Sequence, residues 1–410
     1  MSQLSLSELN NGLIHIHEPA FNANVGYAAV VIACGSRDEK EGQKGIAHFL
    51  EHCLFKGTVK RRAHHIINRL ETVGAEIDAY TTKEYTCIYT VFMNNYLERA
   101  LELMSDILFH SQFPERELDR EKNVILDEIQ SYRDNPSEQI FEDFEDLIFK
   151  DHPLAGSILG SSKSVKGLNR SALIDFHQKY YSPTNLLLST SVNVSDKKIA
   201  RLAAKYFGEV RGSQKFEREK KSVYWKSIDK QLKKKTFQSH YIQGGKAYPI
   251  DHERRESLNL LNNITGGHSM NSRLNLVVRE KQGLAYHIET GYAPFSDTGL
   301  FYIYLGCDAK NIPRVETLIK RELKTLKEKK LSPVQLTNAK RQYQGQLSIA
   351  MESRANRVMQ RARSMMTQGE IESLNDILKR VDGISAKDIQ DTANEIFDLN
   401  NFSRLIYLNT

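Results

Sequence analysis

Residues 45–58 read GIAHFLEHCLFKGT, an apolar helical run that puts ionisable side chains on one side. At about 100° per residue, His48, Glu51, His52 and Phe55 share a face, while Ile46, Ala47, Phe49, Leu50, Cys53 and Leu54 cover the remainder. A helix that is apolar all round is buried. Ionisable groups on a buried helix must be paired, bound to a metal or held neutral, because an unpaired buried charge is costly.

The spacing favours a metal. H-x-x-E-H sets two imidazoles one turn apart, so both can aim a nitrogen at one ion, and it inverts the H-E-x-x-H zinc signature. A catalytic zinc needs a third protein ligand and an open position. In ERELDREKNVILDEIQSYRDNP (residues 115–136) the apolar positions Leu118, Ile125, Ile129 and Tyr132 form a helical stripe, and Glu121 and Glu128 fall within it, two turns apart. Read alone, they are carboxylates satisfied by nearby Arg or Lys. Beside H-x-x-E-H, Glu128 becomes the expected third ligand and Glu121 the carboxylate that orients a ligand.

Working outward, strand-like runs precede the motif (GLIHIHEP, GYAAVVIAC), and a helix and the alternating pair AEIDAYTT and EYTCIYTVF follow it. Helices are expected near 95–110 and 115–134, a strand at NLLLSTSVNVS, and a closing helix at DKKIARLAAKYFG. Residues 211–234 are polar and basic with little periodicity and read as an exposed linker. Beyond it the order repeats, with AYHIETGYA and GLFYIYLGC followed by a helix just as the first strand pair is. The expectation is an α+β fold of two similar domains, 1–210 and 235–410, each a mostly antiparallel sheet with helices on one face.

The 410 residues are 40% hydrophobic and 26% charged, which suits a globular chain too long for one core. Fifty-seven basic against 51 acidic residues give +6 without a polybasic tail, so nothing argues for nucleic acid. The N-terminus lacks the build of a secretory or transit peptide, and no apolar run approaches the roughly 20 residues of a membrane span. Cys34, Cys53, Cys87 and Cys307 lie scattered in apolar surroundings, reading as reduced core residues of a cytoplasmic protein. His64 and His65 read as surface residues, as do His15 and His17 on their strand.

GSRDEKEGQKGIAHFLEHCLFKGT with Glu128, HPLAGSILG, YYSPTNLLLS and NSRLNLVVREKQGLAYHIETGY together resemble the pitrilysin-type inverzincin metallopeptidases along the whole chain. The resemblance implies a zinc endopeptidase acting on extended peptides. It assigns His48, His52 and Glu128 to one Zn2+, Glu51 to the general base and Glu121 to a supporting role. It further implies that Arg279 and Tyr286 in REKQGLAY bind substrate and stabilise the oxyanion, and that Asp78, Ala79 and Tyr80 lie on an edge strand that pairs with the peptide, Asp78 standing where Asn is usual. A homodimer closing like a clamshell is the implied assembly, and an idle scaffold of the same fold is the alternative.

Overall fold

The computed structural model describes residues 4–410. The strands are β1 (Ser5–Glu8), β2 (Ile14–Pro19), β3 (Val25–Ile32), β4 (Glu76–Thr81), β5 (Thr86–Met93), β6 (Leu186–Val192), β7 (Asp229–Lys234), β8 (Ser239–Ala247), β9 (Ala285–Pro294), β10 (Gly299–Cys307) and β11 (Ser403–Asn409). The helices are α1 (Ile46–Leu54), α2 (Ala63–Glu71), α3 (Leu97–Phe109), α4 (Glu115–Asp134), α5 (Pro136–Ile148), α6 (Ser162–Gly167), α7 (Arg170–Tyr180), α8 (Asp196–Phe207), α9 (Arg255–Gly266), α10 (Ile312–Glu328), α11 (Pro333–Glu352), α12 (Arg354–Gln368), α13 (Leu374–Gly383) and α14 (Ala386–Ile396).

The strands build two sheets, ordered β1-β2-β6-β3-β5-β4 and β7-β11-β8-β10-β9. Setting β2-β6-β3-β5-β4 against β7-β11-β8-β10-β9 matches them strand for strand. In each, one pair is parallel, β2 with β6 and β7 with β11, and the rest run antiparallel. This is the α+β architecture of two similar domains. The repeat follows from the sequence pattern: hydrophobic period two in the strands, then amphipathic helices that bury one face of the sheet.

The chain folds into two compact units, and their boundaries do not follow a simple cut. One comprises residues 1–130, 156–219 and 351–371, the other 131–155, 220–350 and 372–410. Residues 351–371 therefore belong with the first sheet, where Val358 and Ala362 of α12 pack on Ile16, Ala29, Val31, Cys87 and Leu187. Likewise Ile140, Phe144 and Ile148 of α5 pack on Ile242, Leu300, Leu405 and Tyr407 of the second sheet. Its opposite face carries Phe301, Ile303, Leu305 and Ile406 against α9, α10 and α14. Each sheet thus has a helix on its second face besides the main helical layer.

The stretch 211–234, expected as an exposed linker, carries the chain from one unit to the other with no buried residue, and it is tied down along its length. Arg218 makes a paired contact with Asp38 at 2.7 and 2.8 Å, Trp225 Nε1 donates to the Asn401 carbonyl at 2.8 Å, and residues 229–234 are strand β7. Its lysines fit the outer edge it occupies, where charge discourages further strand pairing. His15 and His17 also differ from expectation. Both are buried on β2, where each ring shares the Thr190 hydroxyl at 3.0 Å, because β2 pairs on both sides and lies under cover. His64 and His65 are exposed on α2, and the four cysteines are buried and unpaired.

Candidate metal centre

Helix α1 forms because Ile46, Ala47, Phe49, Leu50, Cys53 and Leu54 are all buried in the first unit. That burial carries His48 and Glu51 inward, each 8% exposed, with His52 at the edge. Helix α4 buries Leu118, Ile125 and Ile129, and the same stripe brings Glu121 and Glu128 against α1. The Glu128 Oε2 atom lies 3.7 Å from His48 Nε2 and 3.8 Å from His52 Nε2. One donor atom from each of the three residues falls within 4.8 Å of the other two.

These three donors fit a zinc ion, which as a cofactor is not part of the structure. Zinc–nitrogen and zinc–oxygen bonds near 2.1 Å at a tetrahedral angle separate donor atoms by about 3.4 Å, close to the spacings found. The tautomer also suits. His52 Nδ1 donates to Glu121 Oε2 at 3.2 Å, which leaves the Nε2 lone pair facing Glu128. Among the described residues no other group of His, Cys, Asp or Glu side chains brings three such donors together.

Surrounding charges are set by burial and by a lysine. Lys56 Nζ lies 2.7 Å from Glu121 Oε1, so Glu121 bridges Lys56 and His52. Burial would raise the Glu121 pKa, but the His52 and Lys56 hydrogen bonds outweigh it and keep the carboxyl below its usual range. His52 is pushed the other way: burial disfavours its charge, yet Glu121, Glu51 and Glu128 together raise it. Burial and the neighbouring His52 lower His48 to about 3, so its ring is neutral and free to ligate. Burial raises Glu128, with His52 opposing, which is the condition of a carboxylate short of a cation.

Glu51 lies on α1 between the two histidines, and Thr81 Oγ1 donates to its Oε2 at 2.7 Å. Burial raises its pKa, against the Thr81 bond and His52. Thr81 ends β4, the free edge of the first sheet. At the hairpin turn Thr82 N donates to the Tyr85 carbonyl at 2.8 Å, and alternation along an antiparallel ladder then turns the N–H and C=O of Ile77, Ala79 and Thr81 away from β5, onto the open edge. Asp78 Oδ1 accepts from the Ala79 N–H at 2.8 Å, and its Oδ2 accepts from Tyr89 at 3.0 Å. Tyr80 meets Met359 Sδ at 3.9 Å.

Arg279 and Tyr286 belong to the second unit. Arg279 is half-buried on an irregular helical stretch, Asn275–Glu280, with its Nε 3.7 Å from Glu280, and Tyr286 on β9 is 86% exposed. Lys56 and Thr81 escaped the sequence reading. A lysine in FKGT one turn after His52 was the available signal for the first, and alternation of β4 toward the H-x-x-E-H helix for the second.

Comparison with known proteins identifies the family of the chain. Residues 16–162 match the family described as insulinase (peptidase family M16), and residues 167–343 match the peptidase M16 inactive domain. A zinc protease of Rickettsia bellii is 33% identical over 406 residues, covering 98% of this chain and 97% of its own. The chain belongs to the M16 peptidase family. The relative YmxG of Bacillus subtilis, named as a zinc protease, is 32% identical over 369 residues, 90% of this chain and 89% of its own. The M16 fold is shared with a protease from Helicobacter pylori at 21% identity, TM-score 0.90, over 99% of this chain and all of the other. A peptidase M16 inactive domain from Pseudomonas fluorescens gives 20% identity and TM-score 0.91 over 100% and 98%. No helix among the described residues is long and apolar enough to cross a membrane.

Proposed function

We propose that the protein is a zinc endopeptidase that cleaves extended peptides, with His48, His52 and Glu128 holding one ion per chain. The observation that carries the reading is the convergence of one donor atom from each of these residues within 4.8 Å. A zinc ion so held supplies Lewis acidity and lowers the pKa of bound water toward 7.

The remaining chemistry falls to side chains. Glu51, anchored by Thr81, takes the proton from the attacking water and returns it to the leaving amine. Glu121 fixes the His52 ring and is itself fixed by Lys56. A peptide added to β4 takes hydrogen bonds from Ile77, Ala79 and Thr81, a mode that reads main chain and so suits broad specificity. Because Asp78 already occupies the Ala79 N–H, the peptide displaces that carboxylate, which then faces its side chains and favours basic ones. Family resemblance supports Arg279 and Tyr286 as the groups that hold substrate and oxyanion, an interaction worth about 3–4 kcal/mol in such sites. It supports a homodimer as the assembly, and four unpaired buried cysteines suit the cytoplasm.

The test is metal analysis of the purified protein with cleavage of a mixed peptide library, before and after chelation, beside the Glu51→Gln variant. Expected are one zinc per chain, activity lost on chelation and restored by zinc, cuts enriched near Lys or Arg, and a loss of about 10²–10⁴ in Glu51→Gln with zinc retained. Activity indifferent to chelation would refute the reading.

A further inference from the structure

Helix α1 starts without a side-chain cap of its own. Its N-cap residue is Gly45, at φ +92°, and a Cβ there would meet the Leu159 carbonyl oxygen at 2.5 Å. Two N–H groups at this end are instead taken by the Glu39 carboxyl from outside the helix, and the Ile46 N–H goes to the Gln43 carbonyl. Glu39 Oε2 accepts from Gly45 N and Glu39 Oε1 from Ala47 N, both at 3.0 Å, and the side chain is buried.

The residues just before Glu39 grip the other half of the site. Ser36 N donates to the Thr82 carbonyl at 3.0 Å and Arg37 N to the Lys83 carbonyl at 2.9 Å, at the turn joining β4 to β5. The Arg37 guanidinium pairs with Glu84 of that turn, and a Cβ on Gly35 would meet the Thr82 carbonyl oxygen at 2.4 Å. One residue before this turn, Thr81 donates to Glu51 on α1. The contacts therefore close a ring: α1 start, Glu39, residues 36–37, the β4–β5 turn, Thr81, and back to α1 at Glu51.

We propose that Glu39 is a positioning residue, and that the Ser36–Glu39 segment is a brace setting the register between the H-x-x-E-H helix and the open edge of β4. This rests on the peptidase reading above. The brace would matter because a displacement near 1 Å of a catalytic group relative to bound substrate can cost about 10²-fold in rate. It touches neither substrate nor ion.

The test compares Glu39→Ala and Glu39→Gln with the unaltered chain in steady-state cleavage and in hydrogen exchange of the α1 amides. Glu39→Ala should lower kcat about 10–100-fold, with KM within about twofold because the main-chain bonds offered by β4 remain. Exchange should quicken at residues 45–49. Glu39→Gln keeps one acceptor and should recover part of the loss, which a general loss of folded protein would not mimic. Wild-type kcat together with wild-type exchange in Glu39→Ala overturns the proposal. Should that variant not fold, the same pair of unchanged results in Glu39→Gln overturns it. If the unaltered chain neither binds zinc nor cleaves peptides, the peptidase reading has failed by itself. Exchange at residues 45–49 in Glu39→Gln then decides the brace, quickened supporting it and unchanged refuting it.

Discussion

At the scale of single residues, the site is a chain of orientation that runs Lys56, Glu121, His52. Lys56 is the link with no counterpart in the metal itself, so its removal isolates the effect of holding Glu121. Lys56→Met keeps the stem and deletes the ammonium. Partners behind a ligating histidine typically contribute about 10–100-fold in metal affinity; a chelator-competition titration of Lys56→Met should show a loss in that range with the same stoichiometry. The residues of this chain were unequally visible beforehand. His48, Glu51 and His52 announce themselves by helical spacing, and Glu128 by sitting inside an apolar stripe. Lys56 and Thr81 carry a weaker trace, one turn of helix after His52 and strand alternation, because many lysines and threonines share such spacings and only the fold shows what lies beside them. His15 and His17 misled for the same reason: alternation gives their shared face, and only the neighbouring strands reveal that the face is covered.

Among elements, α12 is held to β2 by charge as well as by packing. Arg361 Nη1 lies 2.9 Å from Glu18 Oε2, and Arg357 Nε lies 3.4 Å from the same carboxylate. Burial would raise the Glu18 pKa, but Arg361 and Arg357 outweigh it and hold the carboxyl below its usual range. A carboxyl depressed on folding contributes stability above its unfolded pKa and loses it as pH falls through the folded value. Glu18→Gln should therefore cost about 1–2 kcal/mol near neutral pH, and the gap from wild type should close below about pH 4, near the unfolded carboxyl pKa. Thermal melts of both proteins across that range check this, and a gap that widens on acidification would contradict it. The hairpin-paired strands and the helices after them were legible as elements, because period two and period 3.6 leave plain traces. Strand β7 was not, for DKQLKK carries the polarity of an edge strand rather than apolar alternation.

Over the whole molecule, the two sheets repeat one topology, and each takes a covering helix from a segment that lies beyond the half it would join by sequence. Residues 351–371 complete the first unit and 131–155 the second. Helix periodicity tells that α5 and α12 exist and which faces are apolar, but two sheets with similar apolar faces are equally good partners on that evidence, so the division at 211–234 was the natural expectation. A fragment of residues 1–210 lacks α12 and leaves Ala29, Val31 and Leu187 without their cover. It should aggregate or melt without cooperativity, whereas adding residues back through 371 supplies the missing helix; calorimetry of the fragment against the full chain distinguishes these, and a sharp cooperative transition for 1–210 would count against the exchange.

The central claim is that α1 and α4 bring two imidazoles and one carboxylate to a single zinc with room left for water. X-ray absorption at the zinc edge of the loaded protein measures this directly. The account predicts a four-coordinate N/O shell near 2.0–2.1 Å with two histidine contributions, one of which disappears in His52→Ala, and an oxygen that changes in Glu128→Gln. A sulfur shell near 2.3 Å, or a spectrum that Glu128→Gln leaves untouched, would contradict it.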